Sequence, residues 1–289
     1  MSMNLIAAKS CATIPEHPVE VQKSASAVGE RPRTRWPEIR ARSFDGSIEH
    51  PAQVENLLSR DEQEQLQRIA TLIEYRRGGN TVFSEGEDAH FVYFIDDGIV
   101  RISRYAENGH RQILALKVPG DLFGLPDGGQ YVSTAETVGP ARIYRIPWQR
   151  MFQTLSAEPQ LQLIFLKKVA YDYGLAERRI MVLGQQNTYQ RLASFILELL
   201  QVPEFFDQRS SRLKLPVNRF DLADYLGTAP ESAARSFARL ERDGLVRRVT
   251  SRTLEILDVD GLKALQRGRR RGDRPEHNEA SAETHSSAL

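Results

Sequence analysis

The chain has 289 residues, 40% hydrophobic and 27% charged, which suits a globular protein of roughly two domains at about 150 residues each. Thirty-nine Lys and Arg against 38 Asp and Glu give +1, which excludes a chain that is basic or acidic throughout but says nothing of where the charges sit. The single cysteine, Cys11, excludes an internal disulfide scaffold and a conventional iron–sulfur cluster, which needs about four thiolates, and no run approaches the ~18 apolar residues of a membrane span.

Residues 1 to about 50 are rich in Ser, Ala, Pro and Glu without a sustained apolar period, and are expected to be a disordered leader. Their start lacks the basic opening and long apolar stretch of a signal peptide, so a cytoplasmic location is expected, with no membrane partner. A polar stretch at Leu57–Ile73 reads as helical. From Glu74 to Ile146, short β-prone runs alternate with turn pairs: Asp97-Gly98, Asn108-Gly109 and Pro119-Gly120-Asp121. Glycine supplies positive φ at such corners, so these are hairpin signals, and their spacing predicts an antiparallel sandwich or jelly roll.

After Pro147 the texture changes. From about Gln160 to Leu183 there is no proline, and Leu166, Val169, Tyr173, Ala176, Ile180 and Leu183 recur at alternating steps of three and four. That is the seam of a coiled coil, read here as a dimer axis; the alternative is a helix packed on its own β-domain. Gly174 inside the run lowers local helix propensity. A second helix, Thr188–Leu200, puts Leu192, Phe195, Ile196 and Leu199 on one face.

Residues 216–245 carry the chemistry. Asn218 is a good N-cap for a short helix ending at Leu226, and Gly227 breaks it. Thr228 is expected to cap the next helix, with Glu231 at the capping-box position and Pro230 in the first turn, and Gly244 stops it. Two short helices around a glycine turn form a helix-turn-helix. Ala233, Phe237 and Leu240 form the second helix's apolar face, and Glu231, Ala234, Arg235 and Ala238 form another. Small residues beside two charged ones suit close approach to a groove floor, where Arg bonds guanine and Glu accepts from cytosine. A solvated Glu–Arg pair is the plainer reading of the same spacing.

Residues 246–257 read as two β runs around a turn near Ser251, a wing with Arg247, Arg248 and Arg252 placed for phosphates. Residues 212–274 hold fifteen Lys and Arg against nine Asp and Glu, a balance of +6 that the rest of the chain offsets with about −5. This basic third is the electrostatic footprint of a nucleic-acid binder. The run Arg267–Arg274 either adds phosphate contacts or is a solvated tail.

Together these features resemble the CRP/FNR family of bacterial transcription regulators, nearest its FixK-like branch, over roughly residues 57–265. The resemblance rests on Phe83, Gly86, Asp97-Gly98, Asn108-Gly109 and Pro119-Gly120-Asp121-Leu122-Phe123-Gly124. More specific are Leu222-Ala223-Asp224-Tyr225-Leu226-Gly227, Glu231 with Arg235, and Arg239-Leu240-Glu241-Arg242-Asp243-Gly244-Leu245. It implies an α+β fold: a cupin-like β-roll (jelly-roll) sensor over 51–157, a dimerisation helix over 158–184, a winged helix-turn-helix over 185–266, and a polar tail over 267–289. It also implies a homodimer that binds double-stranded DNA at an inverted repeat and contacts RNA polymerase, usually to activate, without being an enzyme. Base reading falls to Glu231, Ala234 and Arg235. Phosphate contacts fall to Asn218, Arg219, Thr228, Arg247, Arg248 and Arg252, and Arg219 matches a family phosphate-contact position.

The chain departs from the family in three places. Cyclic-AMP binders carry Gly-Glu and later Arg-Ser around the cyclic phosphate; here the matching stretches are Gly124-Leu125 and about Tyr131-Val132, so no cyclic-nucleotide sensing is expected. FNR-like oxygen sensors use a cysteine cluster that Cys11 alone cannot supply, although Cys11 remains open as a thiol switch or a chance residue. FNR-like reading helices have Glu-x-x-Ser-Arg where this chain has Glu231-Ser232-Ala233-Ala234-Arg235, so a relaxed or thymine-methyl preference is expected beside the G·C contacts. No cofactor is expected. The alternative is a haem- or small-molecule-sensing receptor of the same fold, with His90 and His110 in the β-region but no paired ligand spacing. A cupin-like metalloenzyme would need clustered His and Glu ligands, which the sequence does not offer.

Overall fold

The computed structural model describes residues 40–42, 54–56 and 58–268. The rest of the expected leader, including Cys11, and the tail from 269, with most of the arginine run, lie outside the described residues. Strand β1 (Arg40–Arg42), inside the span expected as leader, pairs antiparallel with β2 (Val54–Asn56).

Helix α1 (Arg60–Ile69) starts at Ser59, whose hydroxyl accepts from the Glu62 amide while the Glu62 carboxylate accepts from the Ser59 amide. It is shorter than the helix expected over Leu57–Ile73. Ala70 is already extended, and Thr71–Tyr75 becomes β3, where β-branched and aromatic residues pair with a later strand. Strands β4 (Thr81–Phe83), β5 (Phe91–Asp97), β6 (Val100–Tyr105), β7 (Arg111–Lys117), β8 (Leu122–Phe123), β9 (Thr134–Thr137) and β10 (Ala141–Pro147) follow. They form two antiparallel sheets, β3-β10-β5-β8 and β4-β9-β6-β7. Strand β5 is buried on both faces. Tyr93 and Ile95 point into the roll with Phe83, Phe123 and Tyr131, whereas Val92 and Phe94 pack beneath helices with Leu66, Met151 and Leu161.

Helices α2 (Trp148–Ala157) and α3 (Pro159–Gln185) are separated at Glu158 by Pro159, which opens α3 where its missing N–H costs nothing. At 27 residues, α3 is roughly 40 Å long. An interior ion network ties it to the roll. The buried Lys168 ammonium lies 2.9 Å from both Asp121 and Asp172, and Lys117 lies 2.8 Å from Asp172. Burial pushes the Asp121 carboxyl up, but Lys168, Lys117 and the Val118 amide outweigh it and hold the group below the usual carboxylate range.

Asn187 caps α4 (Thr188–Leu200) in a second capping box, with Gln190. Strands β11 (Phe206–Asp207) and β12 (Arg212–Lys214), helices α5 (Arg219–Leu226) and α6 (Pro230–Arg242), strands β13 (Val246–Thr250) and β14 (Thr253–Ile256), and α7 (Val259–Gln266) complete the chain. The sheet order is β11-β12-β14-β13. One core joins Leu192, Phe195 and Ile196 of α4 to Leu222, Leu226, Phe237, Leu240, Leu254 and Leu262, and Ile113 and Val118 of the roll enter it.

Candidate nucleic-acid interface

Helix α5 begins where the sequence places it. The Asn218 carboxamide oxygen accepts from the Phe220 and Asp221 amides at 2.8 and 3.0 Å, and its Nδ2 donates to Asp221 at 2.8 Å. The whole Asn218 side chain is thus engaged within its own turn. The helix ends at Gly227, whose φ of +63° is left-handed backbone that glycine adopts without strain.

The start of α6 differs from the sequence expectation. Its N-cap is Ala229, with no side-chain cap, and Thr228 instead lies 3.4 Å from the Thr188 hydroxyl. Pro230 explains the shift: proline drives the preceding residue out of the helical region, so Ala229 becomes the extended boundary residue. Position three of the helix is then Ser232 rather than Glu231, and no capping box forms.

Ala233, Phe237 and Leu240 seat α6 on the core. Glu231, Ala234, Arg235 and Ala238 are all exposed on its outer side. Arg235 Nη2 donates to the Ser232 hydroxyl at 2.7 Å, a contact that sequence reading missed although the i,i+3 spacing allows it. Beside this face, β13 and β14 form the wing. Arg247, Arg248 and Arg252 are exposed; Arg247 pairs with Glu255 at 3.1 Å, and Arg248 lies 5.3 Å over the Phe237 ring. Arg219 is exposed at the start of α5, over Phe220, and Thr228 is half-buried.

Sequence reading also missed Arg191. Its guanidinium donates to the carbonyls of Leu183, Gln186 and Leu226 at 2.7, 2.8 and 2.9 Å, satisfying the carbonyl ends of α3 and α5 at once. These partners lie at the ends of two helices, one of them 35 residues further along the chain, so no local pattern announces the set.

Of the seam residues on α3, Leu166, Tyr173 and Ile180 are 62, 65 and 68% exposed. Ala176 is exposed as well, while Val169 and Leu183 are half-buried. Leu161, Lys168 and Val182 mark the inner side of the same helix.

Within the roll, aromatic rings occupy the space beside the stretch Gly124-Leu125 and Tyr131-Val132. Tyr131 stacks on Phe83 with centroids 3.9 Å apart, and Tyr93 stacks on Phe123 at 5.2 Å. The Tyr131 hydroxyl donates to the Phe91 carbonyl at 2.8 Å. A Cβ on Gly124, which has φ +78°, would lie 2.8 Å from the Tyr93 ring, so glycine is required there on both counts. His90 and His110 are both exposed. Among the described residues, no three His, Cys, Asp or Glu side chains gather as a metal site, and no helix is long and apolar enough to cross a membrane.

Comparison with known proteins agrees with this geometry. Residues 190–265 match the Crp-like helix-turn-helix domain, and residues 73–158 match the cyclic nucleotide-binding domain. The chain is 28% identical over 235 residues to the nitrogen fixation regulation protein FixK of Azorhizobium caulinodans, covering 81% of this chain and 90% of that protein. It is 28% identical over 207 residues to the transcriptional activatory protein AadR of Rhodopseudomonas palustris, covering 71% and 81%. The structure of FixK2 from Bradyrhizobium japonicum superposes with a TM-score of 0.61 at 27% identity, covering 68% of this chain and 97% of that one.

Proposed function

The chain belongs to the CRP/FNR family of transcription regulators, with a cyclic nucleotide-binding-like roll and a Crp-like helix-turn-helix, and from that premise we propose that it is a sequence-specific activator that binds an inverted-repeat operator as a homodimer. The observation that carries this reading is the free outer face of α6. A buried apolar stripe holds the helix, and among the described residues Glu231, Ala234, Arg235 and Ala238 are exposed on its outer side. In a major groove, Arg235 bonds guanine O6 and N7, Glu231 accepts from cytosine N4, and the two alanines meet thymine methyl groups. Arg219, Arg247, Arg248 and Arg252 border that face and meet phosphates, which set register rather than sequence. Asn218 and Thr228, with side chains engaged or half-buried, are minor contributors.

Dimerisation through α3 is supported by the large apolar side chains that a single chain leaves exposed along it, Leu166, Tyr173 and Ile180 above all. Activation without cyclic AMP is supported by the roll interior. The Tyr131 ring is stacked on Phe83 in the stretch where cyclic-AMP binders present an arginine. A cyclic phosphate placed there would meet an apolar ring instead of a guanidinium. The same filled interior speaks against a ligand receptor of this fold. Contact with RNA polymerase is proposed from the activator role of the relatives.

Binding-site selection from random duplex DNA with the full-length protein tests the proposal. The expected product is an inverted repeat with half-sites about one helical turn apart. Enrichment of no sequence, or of single half-sites bound by a monomer, would overturn it.

A further inference from the structure

The face of α5 turned away from the reading surface meets the hairpin β6–β7 of the roll. The Asp221 carboxylate is only 2% exposed there. Arg101 Nη1 donates to both of its oxygens, at 3.3 and 3.2 Å, and Arg111 Nη2 donates to Oδ1. Arg111 Nε also donates to Asp224 at 2.8 Å, and Glu136 of β9 accepts from Arg101 Nε at 3.1 Å. Two planar forks and three carboxylates therefore close on one another, and the bonds that join α5 to the roll span 110 to 120 residues of sequence. Gln112 Nε2 donates to the Asp224 carbonyl at 2.6 Å, capping the end of α5, and Ile113 is fully buried in the helix-turn-helix core.

We propose that this Arg101–Arg111–Asp221 cluster is the positioning lock of the DNA-reading unit, a built-in contact that fixes the orientation of α5 against the roll in place of a bound ligand. This rests on the DNA-binding reading above. Three features carry it. Each planar guanidinium bridges two carboxylates, Arg101 joining Glu136 to Asp221 and Arg111 joining Asp221 to Asp224, so the cluster sets an angle and not merely a contact. Parting the cluster would strand buried charges, so the two units stay together. Helix α5 passes its orientation to α6 through the core they share, which holds Leu222 and Leu226 of α5 with Phe237 and Leu240 of α6, and Glu231 and Arg235 remain exposed. The lock therefore orients the reading face and does not cover it.

A dimer on an inverted repeat gains its affinity from engaging both half-sites at once, and that gain depends on geometry. The test uses full-length wild type and Arg111→Met on two duplexes: the inverted repeat that wild type enriches from random DNA, and one half-site of it. With the lock lost, affinity for the full repeat falls tenfold or more, while affinity for the half-site changes less than twofold. A merely structural role would lower both together. Asp224→Asn keeps the shape and weakens one arm, so it provides a milder variant with a loss of about threefold on the full repeat alone. Unchanged or tighter binding of the full repeat by both variants, or equal loss on both duplexes, overturns the lock. Wild-type protein that enriches no duplex from random DNA overturns the DNA-binding reading itself, and the lock with it.

Discussion

The two helices of the helix-turn-helix use their charges in opposite ways. On α5 the acidic side chains turn inward: Asp221 is buried, Asp224 is half-buried, and both meet arginines from the roll. On α6 the charges turn outward: Glu231 and Arg235 are exposed, and Arg235 donates to a neighbouring hydroxyl. The helices are joined by three residues and share one core, yet one presents its charges to the roll and the other presents them to solvent. In such a motif, what a charge is paired with identifies its role better than its type or spacing does.

That contrast implies a double dissociation. Asp221→Ala leaves Arg101 and Arg111 buried without their shared partner and should cost about 3–5 kcal/mol of stability in urea unfolding. The bases preferred in site selection should stay the same. Arg235→Ala should leave the unfolding curve unchanged and cost ~1–3 kcal/mol on the selected site, with much less lost on random DNA. Equal losses on selected and random DNA for Arg235→Ala would erase the contrast.

The ion network beneath α3 extends the comparison to pH. Asp121 is held below its ordinary pKa, so it contributes stability that is present above the unfolded value and is lost as pH falls through the folded one. Lys168 is held above its ordinary pKa although burial opposes this, because Asp121 and Asp172 outweigh the burial. Its contribution is complete below the unfolded lysine value and fades only as pH rises through the folded one. Melting temperatures of wild type and Asp121→Asn should therefore differ by a constant amount near neutrality and converge as pH drops below about 4. A gap that persisted in acid would remove Asp121 from the network.

The parts of this architecture that depend on neighbours in sequence were legible in it. Asn218 and Gly227 act through groups two to four residues away, so their chemistry announced the helix ends, and the turn glycines announced the roll. The Thr228 cap was misplaced because the steric demand of Pro230 on Ala229 outranks a good capping side chain. The α3 seam was legible as a pattern, but not which of its two rows a single chain covers. Leu166, Tyr173 and Ile180, spaced seven apart, face outward, while Val169 and Leu183 of the other row turn toward the body of the protein. Arg101, Arg111 and Arg191 could not be singled out, since their partners lie on separate segments and nothing local distinguishes them from other surface arginines.

Two smaller effects probe the outer surface alone. Arg252→Ala, at the wing turn, should weaken binding to all sequences alike and reduce the salt slope by about 1, since one phosphate contact releases one counterion's share.

Ser232→Ala should have the smallest effect. The Ser232 hydroxyl accepts from Arg235 in the free protein and so holds the guanidinium along the helix. If that pose matches the one used on DNA, the hydroxyl lowers the ordering cost of a long side chain, and its removal should weaken the selected site by a few tenths of a kcal/mol, about the size of a helical side-chain pair. If the pose must be broken to reach guanine, Ser232→Ala should bind slightly tighter instead. Either sign confines the effect to the G·C position proposed for Arg235. Titration of matched duplexes that differ only at that base pair measures it, and an equal change on both would place Ser232 on the phosphates rather than behind the reading arginine.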